Sequence, residues 1–149
     1  MTQRNLLAVI TALALLAVSA SAHAEVTVKN AWVRATVGMN RPTAGYAEIT
    51  NSGPGDDELV SVSTSVAMMT ELHKSTVENG IMKMEPVDHL QIPAGRTVKL
   101  EPGAYHLMIM QVMKPLKDGD TVDLMFTFKN QGPVKVVAKV LPLSAEHMP

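Results

Sequence analysis

Cysteine is absent from all 149 residues. That absence excludes disulfides, a thiol nucleophile, thiolate zinc sites and the thiolate-bearing blue-copper centre. It also removes any N-terminal cysteine that a lipid could modify, so an exported product is expected to be soluble. Aromatics are scarce at 3% of the chain, comprising Trp32, Tyr46, Tyr105, Phe126 and Phe128. Basic runs and aromatic–basic interleaving are missing, and the net charge is only −1. Nucleic acid is therefore a poor match as partner. Beyond the N-terminus no apolar run is long enough to cross a bilayer. Any metal site in such a chain has histidine, methionine and carboxylate to draw on.

The N-terminus reads as a targeting segment. "MTQRNLLAVITALALLAVSASAHA" has Arg4 near its start, an apolar stretch from Leu6 to Val18 and then small residues, the layout of a secretory signal peptide. Cleavage is expected after Ala24, giving residues 1–24 as leader and 25–149 as the exported, periplasmic domain. The triplet Ala20-Ser21-Ala22 competes and would expose His23 as the first residue. Loss of Arg4 with the leader makes the product one charge more negative.

The remainder is punctuated by turns: "NSGPGDD" at 51–57, "ENG" at 78–80, "IPAG" at 92–95, "EPG" at 101–103, "KDGD" at 117–120 and "NQGP" at 130–133. Between them lie short, partly alternating runs such as "VTVKNAWVRAT", "YHLMIMQVM" and "TVDLMFTFK". This spacing predicts one all-β domain, a sandwich or barrel. "VAMMTELHKST" is the single plausible helix, and its Thr, Val and Ser content suits a strand at least as well. Asn79-Gly80 is a favourable hairpin turn, because both residues tolerate positive φ.

Methionine is abundant, with 11 in the chain. In the run "YHLMIMQVMK" (105–114) strand alternation sends His106, Met108 and Met110 one way and Leu107 and Ile109 the other. Alone this is weak, since methionine is common core filling. A second segment, "ELHKSTVENGIMKM", places His73 before the Asn79-Gly80 turn and Met82 and Met84 after it. A hairpin there brings His73 near the Met84 arm. Core packing gives no reason for histidine to accompany methionine twice. Thioether sulfur is soft, neutral and selective for Cu(I), and imidazole suits copper too. Zinc favours Cys, His and carboxylate, while Mg²⁺ and Ca²⁺ demand oxygen. Cu(I) is the best match, and acid is expected to loosen the site by protonating imidazole.

From His73 to Met108 the residues spell H-x10-M-x21-H-x-M. This pattern, with "AWVRAT" at 31–36, "ELH" at 71–73, "GIMKM" at 80–84, "IPAG" at 92–95 and "PGAYHLMIM" at 102–110, resembles the periplasmic copper chaperone family PCuAC. The likeness runs from about Ala31 to Phe128. The resemblance implies a cupredoxin-like Greek-key β-barrel holding one Cu(I) through His73, Met84, His106 and Met108. It also implies delivery to the CuA centre of cytochrome c oxidase, with subunit II or a Sco-type chaperone as the copper-accepting partner.

Other residues carry plainer expectations. Met82 and Met110 share faces with the proposed ligands, but core packing is favoured for both. Met68, Met69, Met113 and Met125 are expected in the core or at its rim, Met39 in an exposed loop, His89 at the surface and Trp32 inside the barrel. In the flexible tail of about 144–149, Glu146, His147 and Met148 form a candidate accessory site, suited to Cu(II), against the simpler reading of a solvated terminus. A carrier, not an enzyme, is the leading reading. Copper storage or resistance, a copper oxidase or monooxygenase using an N-terminal His23, and a metal-free adhesin or assembly module are the alternatives.

Overall fold

A computed structural model describes residues 25–149, so the expected leader lies outside the described residues. Among the described residues the regular structure is ten strands. They are β1 (Val26–Arg34), β2 (Thr43–Asn51), β3 (Asp57–Thr64), β4 (Ala67–Glu78) and β5 (Ile81–Pro86), followed by β6 (Leu90–Ile92), β7 (Thr97–Leu100), β8 (Tyr105–Val112), β9 (Thr121–Phe128) and β10 (Gly132–Leu141). The segment open to helix or strand is the strand β4. Its β-branched residues suit a pleated surface, and its register along β8 binds it into the sheet.

The strands form one sheet in the order β5-β4-β8-β2-β1-β10-β9-β3-β6, with β7 also on β2. Only β1 and β10 pair in parallel; every other pairing is antiparallel. The sheet curls until β3 and β4, joined by a two-residue turn, lie side by side at its seam. Leu59 and Val62 of β3, Leu72 of β4, Leu107 and Ile109 of β8 and Phe126 and Phe128 of β9 fill the enclosed core. The all-β class and the barrel-like closure agree with the sequence expectation.

Two local features position the outer face. Asn79 (φ 51°) and Gly80 (φ 77°) make the two-residue turn between β4 and β5, and Glu78 pairs with Ile81 across it. Both central residues take the left-handed conformation that the twist of a hairpin needs. In β8, Gln111 also has positive φ, at 54°. This breaks the alternation, so Ile109 and Val112 both reach the core while Met110 stays on the outer face.

Trp32 differs from expectation. It is buried, but Ala31 and Val33 on either side of it belong to the core and Trp32 does not. It lies on the other face of β1, opposite Tyr46 of β2, with ring centroids 4.4 Å apart. The C-terminal residues 146–149 border the same shallow cleft as its indole. Alternation fixes which residues share a face, but not which face is covered by the barrel and which by a passing segment.

Candidate metal centre

The outer face of β5, β4 and β8 is built in rows. His73 of β4 stands directly opposite His106 of β8, with ring centroids 6.0 Å apart and planes inclined by 54°. In the next row Glu71 faces Met108, whose other neighbour is Ala44 of β2. On the opposite side of the histidine row Ser75 faces Met84 of β5. All four sequence-predicted ligands thus sit in three successive rows of one face, while Leu72 and Leu107 point through the sheet into the core. A cleft of about 240 Å³ includes Met84, His106 and Met108 in its lining, with Arg34, Tyr46 and Ser75 beside them. His73 does not line this cleft; it stands beside it, opposite His106 in the strand register.

The donors are graded in depth. His106 is 4% exposed, whereas Met84 is 55% exposed. His73 and Met108 are half-buried between these extremes. A nitrogen at the bottom and a sulfur at the mouth give an ion a way in.

The imidazole hydrogen bonds define the lone pairs. His106 Nδ1–H donates to the Ala104 carbonyl at 3.1 Å. A carbonyl only accepts, so the neutral ring carries its proton on Nδ1 and leaves Nε2 bare. His106 Nε2 is buried and has no hydrogen-bond partner. An orphaned buried acceptor costs about 1–3 kcal/mol, and a metal ion is the kind of partner that relieves it. His73 Nε2 lies 2.9 Å from Glu71 Oε2. Donation to that carboxylate leaves Nδ1 as the free nitrogen, and carboxylates commonly orient metal-binding histidines in this way.

A single positive side chain flanks the cleft. The guanidinium carbon of Arg34 stands 5.6 Å from the Tyr46 ring centroid and 6.0 Å from that of Trp32, and its Nε is buried without a partner. Burial pushes the Tyr46 phenol above its usual range, against the lowering pull of Arg34. Among the described residues no three His, Asp or Glu side chains gather as metal donors. A site here depends on thioether sulfur, a donor set that fits a soft monovalent ion and leaves hard cations unsatisfied.

Residues 26–140 match the family model described as "Putative lipoprotein LpqE-like". The chain belongs to the LpqE-like family. Within 118 aligned residues, 76% of this chain and 69% of the relative, it is 36% identical to "Putative lipoprotein Lxx21020" of Leifsonia xyli subsp. xyli. Its fold matches that of DR1885 from Deinococcus radiodurans, solved in solution as the apo protein. That match has a TM-score of 0.62, 32% identity and 82% coverage of both chains. The solution structure of CuI-DR1885 matches with a TM-score of 0.56 and 28% identity, over 76% of this chain and 78% of that one. The apo PmoF2 PCuAC domain shares the fold at a TM-score of 0.68 and 20% identity, covering 83% of this chain and 94% of that domain. The resemblance to the PCuAC family read from the sequence, and the cupredoxin-like fold it implied, thus meet structural neighbours of that kind.

Several expectations need correction in this LpqE-like chain. Met82 is 58% exposed and lines the cleft, so it is not core filling. Met110 is half-buried on the outer face, which it shares with His106 and Met108 by strand alternation. Of the four methionines expected in the core or at its rim, Met68, Met69 and Met113 are exposed at the surface and Met125 is half-buried. Met39 is exposed, as expected of its loop, and His89 is a surface residue 3.4 Å from Glu58. His147 is exposed and Met148 half-buried; with Glu146 they border the cleft beside Trp32, Glu48 and Lys99. Glu71 and Arg34 were missed as parts of the site. Alternation from His73 could have found Glu71, two residues earlier on the same face. Nothing local could have found Arg34, which arrives from β1.

Proposed function

We propose that this protein is an exported copper carrier that holds one Cu(I) through His73, Met84, His106 and Met108. The observation that carries this reading is the bare, buried Nε2 of His106, set in a cleft with the Met84 and Met108 thioethers and opposite a second imidazole. Similarity to CuI-DR1885 supports the choice of metal. The chain acts by binding and release, not by turnover.

The gradient of exposure suggests an order of events. Met84 at the mouth meets the ion first, and Met108 and the histidines then draw it inward. Glu71 holds the His73 ring against rotation, so little ordering cost remains when copper arrives. Release reverses the order: an acceptor's ligand displaces the exposed Met84 first. Neutral thioethers leave without taking up a proton, so handover needs no acid or base. The acceptor we propose is a periplasmic one, subunit II of cytochrome c oxidase during assembly of its CuA centre, or a Sco-type chaperone. The names of the family and of the Leifsonia relative include "lipoprotein", which fits an exported protein. This chain has no cysteine for a lipid, and we place it in the periplasm as a soluble carrier. The tail residues His147 and Met148, with Glu146, are proposed as an accessory position suited to Cu(II).

Anaerobic titration of the apo-protein with Cu(I) against a chromophoric chelator tests the reading. One tight equivalent is expected. Met84→Leu and Met108→Leu should fold normally and each weaken binding beyond the roughly 10–100-fold cost of losing an outer-shell partner. Unchanged affinity in both variants would refute the site. Truncation after Leu143 should leave the Cu(I) equivalent intact and remove Cu(II) uptake; unchanged Cu(II) uptake would discard the tail position.

A further inference from the structure

One row beyond Met108 on the same outer face, Met69 of β4 stands opposite Met110 of β8. Side chains directly opposed in an antiparallel pair have Cβ atoms about 4.5–5.5 Å apart. With three rotatable bonds each, both sulfurs can reach a single ion. Met110 and Met108 are two residues apart on one strand face, a step of about 6.6 Å at roughly 3.3 Å per residue. The pair is not core filling. Ala67, Ile109 and Val112 occupy the inner side at this level, while Met69 is 45% exposed and Met110 half-buried. Strand alternation from Met108 keeps Met110 on the outer face. Neither position in this row offers an imidazole or carboxylate, so nothing here would retain a hard ion.

We propose that Met69 and Met110 form a second, weaker Cu(I) subsite, a way station through which the ion reaches or leaves the four-ligand site. This inference rests on the carrier reading above. Two thioethers without imidazole hold Cu(I) loosely, which suits a position meant to be vacated. Transfer is ligand exchange: the Met108 sulfur bonds to the ion as the Met69 or Met110 sulfur leaves. Copper stays Cu(I) throughout, the thioethers remain neutral, and no proton or electron moves. Exposure of Met69 gives an entrance separate from the Met84 mouth, on the far side of the histidine row.

The test uses the mature protein labelled with ¹³C in the methionine methyls and titrated anaerobically with Cu(I). The Met84 and Met108 methyl signals should shift over the first equivalent, and those of Met69 and Met110 should shift together over the second. A Met69→Leu/Met110→Leu double variant should keep the first equivalent, lose the second and take up copper more slowly. The subsite is overturned if the Met69 and Met110 signals stay fixed through two equivalents, or if the double variant binds and loads as the parent does. A missing first-equivalent shift at Met84 and Met108, with Met69 and Met110 still responding, has a different meaning. It refutes the four-ligand reading and the way-station role with it, while leaving a thioether site in place.

Discussion

His106 bears a cost in the apo-protein that binding of a ligand would relieve. Its Nε2 is buried without a partner, while its Nδ1 shares the Ala104 carbonyl with the backbone N–H of Ser75. Replacing His106 by leucine removes the orphan and leaves Ala104 O still satisfied by Ser75. The His106→Leu apo-protein should therefore be at least as stable as the parent, by up to about 1 kcal/mol in chemical denaturation, yet should lose tight Cu(I) binding. Such a trade of stability for function is common at binding sites. A clear loss of apo stability would instead make His106 a structural residue. Glu71 acts one step out. Glu71→Gln keeps the shape but weakens the hold on His73, and about a tenfold loss of Cu(I) affinity is expected in the chelator titration. His106 was legible in the sequence as a donor; its burial was not, because that depends on the Pro102-Gly103 turn beside the cleft and on Arg34 from β1.

At the level of elements, the β4–β5 hairpin sets which way Met84 points. A single residue inserted after Gly80 should slip the register by one and send Met84 to the opposite side of its strand. The insertion should thus cost as much Cu(I) affinity as Met84→Leu, although no ligand is removed; parental affinity would contradict the row geometry. This hairpin was readable because Asn79-Gly80 announces its turn and flanking alternation does the rest. The β4–β8 pairing was not, since 32 positions separate the register partners His73 and His106 and no local signal joins them. Resemblance to a family supplied that convergence, and the register now gives it a physical form. Met82 and Met110 were misassigned for a related reason: shared faces were visible, but the side of the sheet holding the core was not.

Asp57 works as a clamp between other elements, β3 and the β9–β10 turn. Asp57, at the start of β3, accepts backbone N–H bonds from Glu58 (2.7 Å), Asn130 (2.9 Å) and Gln131 (2.8 Å), fastening the β9–β10 turn. Burial alone would raise its carboxyl, but these three donors and the nearby Lys129 outweigh it and hold the group below its usual range. A depressed folded value favours the charged form in the native state. Its stabilisation is complete above the unfolded value of about 3.9 and fades as the pH falls through the lower folded one. Asp57→Asn should cost about 2 kcal/mol at neutral pH. The gap between variant and parent should close on acidification, as followed by denaturant midpoints; a gap that widened in acid would reverse the sign.

Across the whole molecule, a continuous core lies behind β4 and β8, so the four side chains we propose as copper ligands are brought to one face before any ion arrives. Binding to the folded chain alone should then stabilise it, by about 2.7 kcal/mol when free Cu(I) is 100 times Kd. The melting temperature should rise with Cu(I) in the parent and stay level in His106→Leu. The all-β class and a sandwich- or barrel-like closure were legible from turn spacing; the strand order that leaves β3 and β4 at the seam was not, since it depends on pairings between strands distant in sequence. X-ray absorption at the copper edge, on protein loaded with one equivalent of Cu(I), bears most directly on this arrangement. Two nitrogen and two sulfur neighbours around a monovalent ion are predicted, with one sulfur lost in Met108→Leu. A shell of nitrogen and oxygen alone, or a spectrum unchanged by that substitution, would contradict it.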